Sequence, residues 1–355
     1  MKITSIETEH YRFMHTRAIR NGKHVYTHSN MFLVKIETDE GVSGIAEGRS
    51  APQDMIERVR VDLLGEDPID VERLWHKMWV PKLTGRRGWT TQFISAIDIA
   101  LWDIRGKVAN MPLYKLLGLT KYQTPITSFT IGIDDPETIR EKVRLANLYP
   151  VLKVKVGVDR DLQILEAVRD VTDKALRVDA NGAWTAREAV ERIIAMRRFG
   201  IELCEQPVAP GDIDGLRFVR ERVEVPIFAD ESARTPDDIP RLAGAVDGIN
   251  IKIMKCGGIR EAIKMIHLAR AFHMKVMLGC NIESSLSITA AAHVSPLVDF
   301  ADLDGHLLLA DDPFAGVKVE KGKLILPDGP GLGVTRRSIL TSVTEKPPRS
   351  GRRAR

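Results

Sequence analysis

From Thr124 onward, short apolar runs recur along the chain, each followed by a stretch with apolar residues at three-to-four spacing. Such a run is typical of a buried strand and such a stretch of an amphipathic helix, so each pair predicts a β/α unit. Eight runs occur: ITSFTIGI at 126, LKVKVG at 152, LRVDAN at 176, LCEQP at 203, PIFADES at 226, GINIKIMK at 248, KVMLGCNIE at 275 and FADLDGH at 300. They predict a β/α barrel, whose chemistry gathers at the carboxyl ends of the strands.

The first third of the chain has a different pattern. A strand-like run, ITSIETEHYRF, precedes a polar and basic stretch from Met14 to Ser29, and MFLVKIET and VSGIAEG then read as a β-hairpin. Helical spacing follows over residues 52–64, 68–79 and 90–108. After Asp312 the chain returns to short, Gly-rich strand-like pieces that could pack back on this first unit.

These patterns predict an α/β protein, a (β/α)7β TIM-like barrel with an α+β capping domain built from the N-terminal third and the C-terminal segment. The predicted parts are residues 1–123 for the capping domain, 124–315 for the catalytic barrel, 316–340 for the return to the capping domain and 341–355 for a basic, disordered tail.

Composition and charge narrow the class of protein. Apolar residues make up 44% of the chain and charged residues 28%, which is ordinary for a chain that buries a substantial core. The net charge of +4 comes from the last eleven residues, and without them the chain has 47 basic and 47 acidic residues. This balance argues against a nucleic-acid partner.

The cysteines and the N-terminus indicate the compartment. Cys204, Cys256 and Cys280 are an odd number without metal-type spacing, which favours a reducing environment. The start MKITSIETEH has no apolar core of signal-peptide length, and no apolar stretch approaches membrane-spanning length. We therefore expect a cytoplasmic protein without a membrane partner.

Three consecutive predicted strands end in acids, namely Asp179, Glu205 and Asp230. Neighbouring barrel strands bring such side chains around one point, where three carboxylates would repel each other and take up protons unless a cation lay between them. Oxygen ligands with open positions for substrate suit Mg²⁺. For each acid alone, the alternative is an N-cap of the following helix, and Asn181 and Glu231 remain for caps or for support of the ligands.

Lys153 and Lys155 lie two residues apart on the second predicted strand, so both side chains project to one face while Leu152 and Val154 face the other way. The apolar face is expected to meet the helices, which points both ammonium groups into the barrel. Buried lysines there need anions or must become neutral. The alternative, an exposed edge strand with solvated lysines, has no place in a closed barrel.

A second lysine pair, Lys252 and Lys255, lies on or after the sixth strand, roughly across the barrel from the second. Strict alternation puts these two lysines on different faces, so the sequence does not choose between them. The following Gly257 and Gly258 favour Lys255 at the strand end. A metal that binds a substrate carboxylate, with bases near the adjacent carbon, predicts removal and return of a proton at that carbon. The intermediate is an enediolate, and its second negative charge requires electrostatic stabilisation.

These residues resemble the enolase superfamily, whose members combine a Lys or His base with Mg²⁺ and an enediolate. The Lys-x-Lys strand, the Asp, Glu, Asp series and the second lysine are similar to the muconate lactonizing enzyme subgroup. By that resemblance Asp179, Glu205 and Asp230 are the metal ligands, Lys155 and Lys255 the two acid/bases, and Lys153 an electrostatic helper. Members of this family are often dimers or octamers, so the resemblance also implies a homo-oligomer.

Within that subgroup, TSFTIGI, GCNIESSLSITAAAH and DLDGHLLL look most like dipeptide epimerases of the L-Ala-D/L-Glu epimerase type. In such enzymes a D-x-D pair holds the dipeptide ammonium, and Asp302 and Asp304 share a face by the period of two. The alternative for this pair is a salt-bridged strand end. The same resemblance implies that Thr130, Cys280, Asn281 and Ile282 contact the substrate.

The resemblance implies a Mg²⁺-dependent dipeptide epimerase that inverts the C-terminal α-carbon by proton transfer between two lysines. Two segments depart from the family pattern: the AEGRS segment, and the stretch 14–29, which matches a substrate-covering loop by position only. That stretch contains three basic residues, Arg17, Arg20 and Lys23. They either select a substrate with an acidic side chain or form a solvated face. The rival functions are muconate cycloisomerase, o-succinylbenzoate synthase or N-acylamino acid racemase with the same site, and a non-catalytic binding barrel.

Overall fold

The structure, a computed structural model, describes residues 1–21, 25–49, 53–79 and 90–337, so the predicted tail 341–355 lies outside the described residues. Over the described part, the central feature is a sheet of eight parallel strands that follow one another in chain order. These strands are β4 (Phe129–Ile131), β5 (Val151–Lys155), β6 (Ala175–Asp179), β7 (Ile201–Glu205), β8 (Ile227–Ala229), β9 (Gly248–Lys252), β10 (Lys275–Gly279) and β11 (Phe300–Asp302).

The first and last of these strands meet, which nearly closes the sheet into a barrel. Thr127 and Ala301 form a parallel bridge, and the Ser128 amide donates to the Ala301 carbonyl at 3.1 Å. The helices of this region are α5 (Pro136–Leu145), α6 (Asp161–Arg169), α7 (Ala186–Met196), α8 (Ile213–Arg220), α9 (Ile239–Leu242), α10 (Ile253–Cys256), α11 (Ile259–Ala271) and α12 (Ser285–Val294). The predicted barrel class is confirmed.

Below the carboxyl ends of its strands, the barrel holds an apolar cluster, and the guanidinium of the buried Arg177 lies 4.9 Å from the Phe300 ring of this cluster. Leu203, Phe228 and Met277 are buried together, with Phe300 packed against them. Three of these residues lie two positions before an acid of the same strand, as Leu203 does before Glu205, so they share its inward face. These apolar side chains thus form a layer directly beneath the polar side chains at the carboxyl ends of the strands.

The N-terminal part forms an antiparallel sheet with helices packed against it. Its elements are β1 (Ile3–Arg20), β2 (Val25–Thr38), β3 (Ser43–Gly48), α1 (Gln53–Leu63), α2 (Val71–Met78), α3 (Thr90–Val108) and α4 (Leu113–Leu116). None of the helices in the described ranges of the chain combines the length and apolarity needed to cross a membrane. The predicted α+β unit is confirmed.

The polar stretch from Met14 to Ser29 differs from the sequence interpretation, which treated it as a segment between strands. Here β1 and β2 continue into it, pairing Met14 with His28 and Ile19 with Tyr26 around a register shift. Backbone pairing does not require apolar side chains, so polarity alone hides such an extension. The extended hairpin reaches the barrel, where the Ala310 amide donates to the Met14 carbonyl at 2.8 Å.

The C-terminal segment contributes short strands, namely β12 (Phe314–Ala315), β13 (Lys318–Glu320), β14 (Lys323–Ile325) and β15 (Thr335–Arg336). The Leu332 amide donates to Asp103 of α3 at 2.8 Å, and the Thr127 amide donates to the Gly322 carbonyl at 2.8 Å. We propose that 316–340 belongs with the capping domain 1–123 rather than with the barrel 124–315, and the Asp103 contact supports that division.

Candidate active site

A cavity of about 300 Å³ lies at the carboxyl ends of the barrel strands. Both the barrel and the β1–β2 hairpin contribute to its walls. Its lining includes Lys153, Lys155, Lys252, Lys255, Asp302, Asp304, Thr130, Cys280, Asn281, Ile282, Asn181 and Glu231 from the barrel, and His15, Ile19, Asn21, Tyr26, Ser29 and Arg49 from the capping domain. The predicted lysines and substrate-binding residues therefore share one chamber.

The two lysines of β5 both point inward, as their spacing predicts. Lys153 Nζ lies 2.7 Å from Asp302, 2.8 Å from Glu205 and 3.1 Å from Asp179. Burial acts to lower the pKa of Lys153, but the charges of these three carboxylates outweigh it and hold the pKa well above its ordinary value. The three carboxylates therefore favour the charged form of Lys153.

Lys155 has a more open position at the end of the same strand. Its Nζ donates to Asp179 at 2.5 Å and to Asn181 at 3.3 Å. The Lys155 side chain retains 15% exposure, against 3% for Lys153. Both amines line the chamber, and Lys155 is the more accessible of the two.

Strand β9 ends at Lys252, and Lys255 lies beyond it in the single turn of α10. Both lysines line the chamber. Lys255 can do so because it lies in a helical turn, where side chains do not alternate between two faces as they do in a strand. Lys252 Nζ donates to Asp230 at 2.5 Å, whereas Lys255 Nζ lies 3.5 Å from the same carboxylate. Burial lowers the pKa of Lys255 more strongly than Asp230 raises it, which favours an amine that exchanges protons.

Asp179, Glu205 and Asp230 end three adjacent strands and are buried, at 0%, 0% and 2% exposure. Burial and the nearby charge of Asp179 raise the pKa of Glu205 to about 7. Burial also acts to raise the pKa of Asp179 and of Asp230, but the charges of neighbouring lysines outweigh it and lower the pKa of each. The series predicted from the strand ends therefore converges on one buried region.

Whether these acids fit a cation depends on what surrounds them. Within residues 1–21, 25–49, 53–79 and 90–337, no three His, Cys, Asp or Glu side chains are arranged as a metal site as they stand. Lysine ammonium groups lie against the carboxylates instead. Glu205 Oε2 is buried without a hydrogen bond, since Lys153 approaches it to 2.8 Å outside hydrogen-bond geometry. Three buried carboxylates, one of which has an oxygen that is ion-paired but not hydrogen-bonded, fit a hard divalent ion.

Asp302 ends the eighth strand and Asp304 lies two residues beyond it, and the two acids have different partners. Asp302 accepts from Lys153 at 2.7 Å and from the Ser128 hydroxyl at 2.6 Å. Asp304 accepts from the Thr130 amide at 2.6 Å, while its second oxygen lies 4.0 Å from the Cys280 sulfur. Burial and the charge of Asp302 raise the pKa of Asp304 to about 6. Among the described residues, Asp304 is thus a buried carboxylate without a countercharge in contact.

The segment from Cys280 to Ile282 joins the chamber wall to the hairpin. The Asn281 amide group donates to Glu283 at 2.9 Å, and the Ile282 carbonyl accepts from Ser29 at 3.2 Å. Ser29 also contacts His15 Nε2 at 2.9 Å. Burial raises the pKa of the Cys280 thiol well above its usual range, so the thiol is a neutral wall residue.

Sequence reasoning missed several residues of this chamber. Asn250 donates to Glu205 at 2.9 Å, and it shares the inward face of β9 with Lys252, so the period of two could have found it. The hairpin residues His15, Ser29 and Tyr26 gave no comparable signal. Arg17 pairs with Glu141 at 3.3 Å outside this lining, and Lys23 lies outside the described residues.

The chain belongs to the mandelate racemase/muconate lactonizing enzyme family of enolase-like proteins. Residues 8–118 match the family model described as the mandelate racemase / muconate lactonizing enzyme N-terminal domain, and residues 137–338 match the enolase C-terminal domain-like model. Together these matches span most of the chain. The family recognised from the sequence is confirmed.

Similar proteins within this family are dipeptide epimerases. The chain is 42% identical over 313 residues to the L-Ala-D/L-Glu epimerase of Bacteroides thetaiotaomicron, covering 85% of this chain and 80% of the relative. The crystal structure of the Enterococcus faecalis dipeptide epimerase with Mg and L-Leu-L-Tyr superposes with a TM-score of 0.86 at 34% identity, covering 95% of this chain and all of the other. The substrate-liganded L-Ala-D/L-Glu epimerase of Bacillus subtilis gives 0.88 at 30% identity, covering 96% and 100%.

Proposed function

We propose that this protein is a Mg²⁺-dependent dipeptide epimerase that inverts the α-carbon of the C-terminal residue. The observation that supports this most is the pair of amines, Lys155 at the end of β5 and Lys255 just after β9, which line one chamber. Three strands lie between β5 and β9 in the sheet order, so the two amines approach a bound molecule from opposite sides. Inversion requires a proton to leave one face of a carbon and to return on the other.

In this proposal Asp179, Glu205 and Asp230 hold Mg²⁺. When bound there, the ion supplies positive charge that offsets the negative charge developing on the substrate carboxylate. The buried Glu205 Oε2, which has an ion pair with Lys153 but no hydrogen bond, supports this assignment. Asn250, Lys252 and Gln206 hold the acids in place: Gln206 accepts from the Asp230 amide at 3.0 Å.

Lys155 and Lys255 exchange the roles of base and acid. For one epimer, Lys155 Nζ accepts the α-proton while Lys255 delivers a proton to the opposite face, and for the other epimer the direction reverses. The enediolate between these steps carries a second negative charge. Lys153, held as a cation by three carboxylates, contributes a fixed positive charge nearby.

The remaining wall binds the rest of the dipeptide. Asp304 receives the substrate ammonium, because no cation among the described residues contacts it. Asp302, which contacts Lys153, orients that lysine. Thr130, Cys280, Asn281 and Ile282 form the adjacent surface. An ammonium at Asp304 would keep that carboxylate ionised at neutral pH, since a nearby cation favours the charged form.

The test is incorporation of solvent deuterium at the C-terminal α-carbon. A panel of L-Ala-L-Glu, L-Leu-L-Tyr, L-Ala-L-Val and L-Arg-L-Lys covers acidic, apolar and basic side chains and is followed by proton NMR in D2O with Mg²⁺. We expect exchange and inversion of at least one member, and neither in the Lys155→Ala/Lys255→Ala double variant. Exchange that survives in the double variant would remove both lysines from the mechanism.

The homo-oligomer implied by the family resemblance is a separate proposal. Light scattering on the eluting peak of a sizing column measures it directly. A mass that is a multiple of 39.7 kDa supports assembly, and a mass of one chain contradicts it.

A further inference from the structure

The two amines proposed as acid/bases have different structural support. Lys155 is the last residue of β5, which is hydrogen-bonded to β4 on one side and to β6 on the other. Lys255 lies outside its strand, in a single helical turn that runs into Gly257 and Gly258. Both glycines have positive φ, 107° and 112°, a conformation that strands and helices do not supply. The sheet therefore fixes Lys155 but not Lys255.

Side chains of the capping domain bind the backbone of the Lys255 turn on both sides of the lysine. The Ser95 hydroxyl, from α3, donates to the Ile253 carbonyl at 2.8 Å. The Trp75 indole N–H, from α2, donates to the Gly257 carbonyl at 3.0 Å. Ser95 and Trp75 are 1% and 3% exposed, so both hydrogen bonds are shielded from water.

A third contact fixes the start of the next helix. Asp98 Oδ2 accepts from the amides of Ile259 and Arg260, at 2.7 and 3.3 Å, so a side chain of α3 binds the amides at the start of α11. A Cβ on Gly258 would lie 2.2 Å from that same oxygen, so a residue without a side chain is required there. The Asp98 carboxylate can therefore bind these amides only because position 258 has no side chain.

We propose that Ser95, Asp98 and Trp75 act together as positioning residues for Lys255. Ser95 and Asp98 lie three residues apart on α3, which places them on one face of that helix. This face and the Trp75 indole bind the backbone before and after Lys255. These contacts set the position and direction of the Lys255 side chain in the chamber. The capping domain contributes to catalysis through this backbone as well as through the hairpin that covers the cavity.

This inference rests on the proposed function and has a consequence specific to one amine. Displacement of the turn should slow proton transfer by Lys255 and leave transfer by Lys155 intact. Misplacement of a reacting group by about 1 Å can cost on the order of 100-fold in rate, so a partial displacement should be measurable. A loss of overall stability would instead lower both transfers together.

The experiment isolates each amine. Lys155→Ala leaves Lys255 as the acid/base, and Lys255→Ala leaves Lys155, so each protein is expected to exchange one epimer of a dipeptide with solvent deuterium. L-Ala-L-Glu and L-Ala-D-Glu are the probes, or both epimers of whichever panel member exchanges fastest in the wild type. Ser95→Ala, a mild change, and Asp98→Ala are then introduced separately into both backgrounds.

Asp103→Ala is the matched control. Asp103 is also a buried carboxylate of α3 that accepts two backbone N–H groups, but these belong to Ile45 and Leu332, away from the Lys255 turn. We expect Ser95→Ala and Asp98→Ala to lower exchange by about tenfold or more where Lys255 acts, and by less than about twofold where Lys155 acts. Asp103→Ala should leave the ratio of the two exchange rates unchanged.

The outcomes separate the two proposals. Equal losses in both backgrounds, or a ratio that Asp103→Ala changes as much as Ser95→Ala does, would overturn the positioning role while leaving the two-lysine mechanism intact. Failure of the Lys155→Ala protein to exchange either epimer would show that Lys255 is not an acid/base. The positioning role would then fall together with the proposed function.

Discussion

Lys153 Nζ lies 2.7 Å from Asp302 Oδ2, a contact that joins β5 to β11 across the intervening strand β4. Asp302 therefore already has a cationic partner inside the protein, and the Ser128 hydroxyl occupies its other oxygen. Asp304, two residues further on, has neutral donors, the Thr130 amide and the Cys280 thiol, within the part of the chain that the structure describes. The negative charge of Asp302 is thus already paired with Lys153, whereas that of Asp304 can pair with a cationic ligand.

The first prediction concerns Asp304. Replacing Asp304 with Asn should raise KM for a dipeptide by about tenfold or more, because a hydrogen bond to a charged group contributes about 1.5 to 3 kcal/mol. An N-acetylated dipeptide lacks the ammonium and should show little change. Steady-state kinetics with both substrates checks this.

Asp299→Asn provides the control for that prediction. Asp299 immediately precedes β11, at the opposite end of the strand, and accepts from the Val276 amide at 2.9 Å. Its loss should affect stability but not KM. Equal KM values of the dipeptide for wild type and Asp304→Asn would instead show that the substrate ammonium does not bind at Asp304.

The second prediction concerns metal binding. Mg²⁺ alone, added to the wild-type protein, should raise the thermal midpoint with increasing concentration, because a ligand that binds only the folded state stabilises it. Glu205→Gln should abolish this rise, whereas Glu202→Gln should retain it, since Glu202 lies on the same strand and pairs with Arg177 at 2.7 Å. Differential scanning fluorimetry measures the shift, and the same rise in both variants would remove Glu205 from the ligand set.

The third prediction is a pH dependence of stability from Glu47. This carboxylate accepts from the Ser284 hydroxyl at 2.6 Å and from Tyr11 at 2.8 Å, and burial raises its pKa from 4.5 to about 7. The folded state then binds the proton more tightly than the unfolded state. The contribution of Glu47 to stability is therefore complete below about pH 4.5 and is lost as pH rises through 7.

Urea unfolding at pH 5, 6, 7 and 8 measures this effect. The wild type should lose on the order of 2 to 3 kcal/mol more than Glu47→Gln across that range. Asp98 and Glu205, whose pKa values burial also raises to about 7, remain in both proteins and cancel in the difference. Glu37→Gln, on the neighbouring strand β2, should behave like the wild type, because Lys35 lowers the pKa of Glu37. Parallel curves for wild type and Glu47→Gln would contradict the prediction.

Much of the barrel could be predicted because each strand is a short local pattern. The period of two in LKVKVG orients Lys153 and Lys155 without any knowledge of their neighbours, and acids directly after apolar runs indicate the strand ends. The choice between Lys252 and Lys255 could not be made in this way. The chain leaves the strand at Lys252, and both amines reach the chamber.

Contacts between distant segments were beyond sequence reasoning. Ser95 and Ile253 are 158 residues apart, and nothing near Ser95 in the sequence indicates which carbonyl its hydroxyl binds. The hairpin was underestimated for a related reason: the polar stretch from Met14 to Ser29 is held by backbone pairing, which polarity does not reveal. The partners of Asp302 and Asp304 likewise depend on how β11 meets β4.

The most direct test of the two-lysine account is the stereochemistry of the single variants. Lys155→Ala and Lys255→Ala are each incubated in D2O and Mg²⁺ with L-Ala-L-Glu and with L-Ala-D-Glu, or with both epimers of whichever dipeptide the wild type exchanges fastest. Deuterium at the C-terminal α-carbon is then measured by NMR. We predict that neither variant inverts the carbon, and that each exchanges only one epimer, a different one in each variant. Exchange of the same epimer by both variants, or inversion by either, would contradict amines on opposite faces of that carbon.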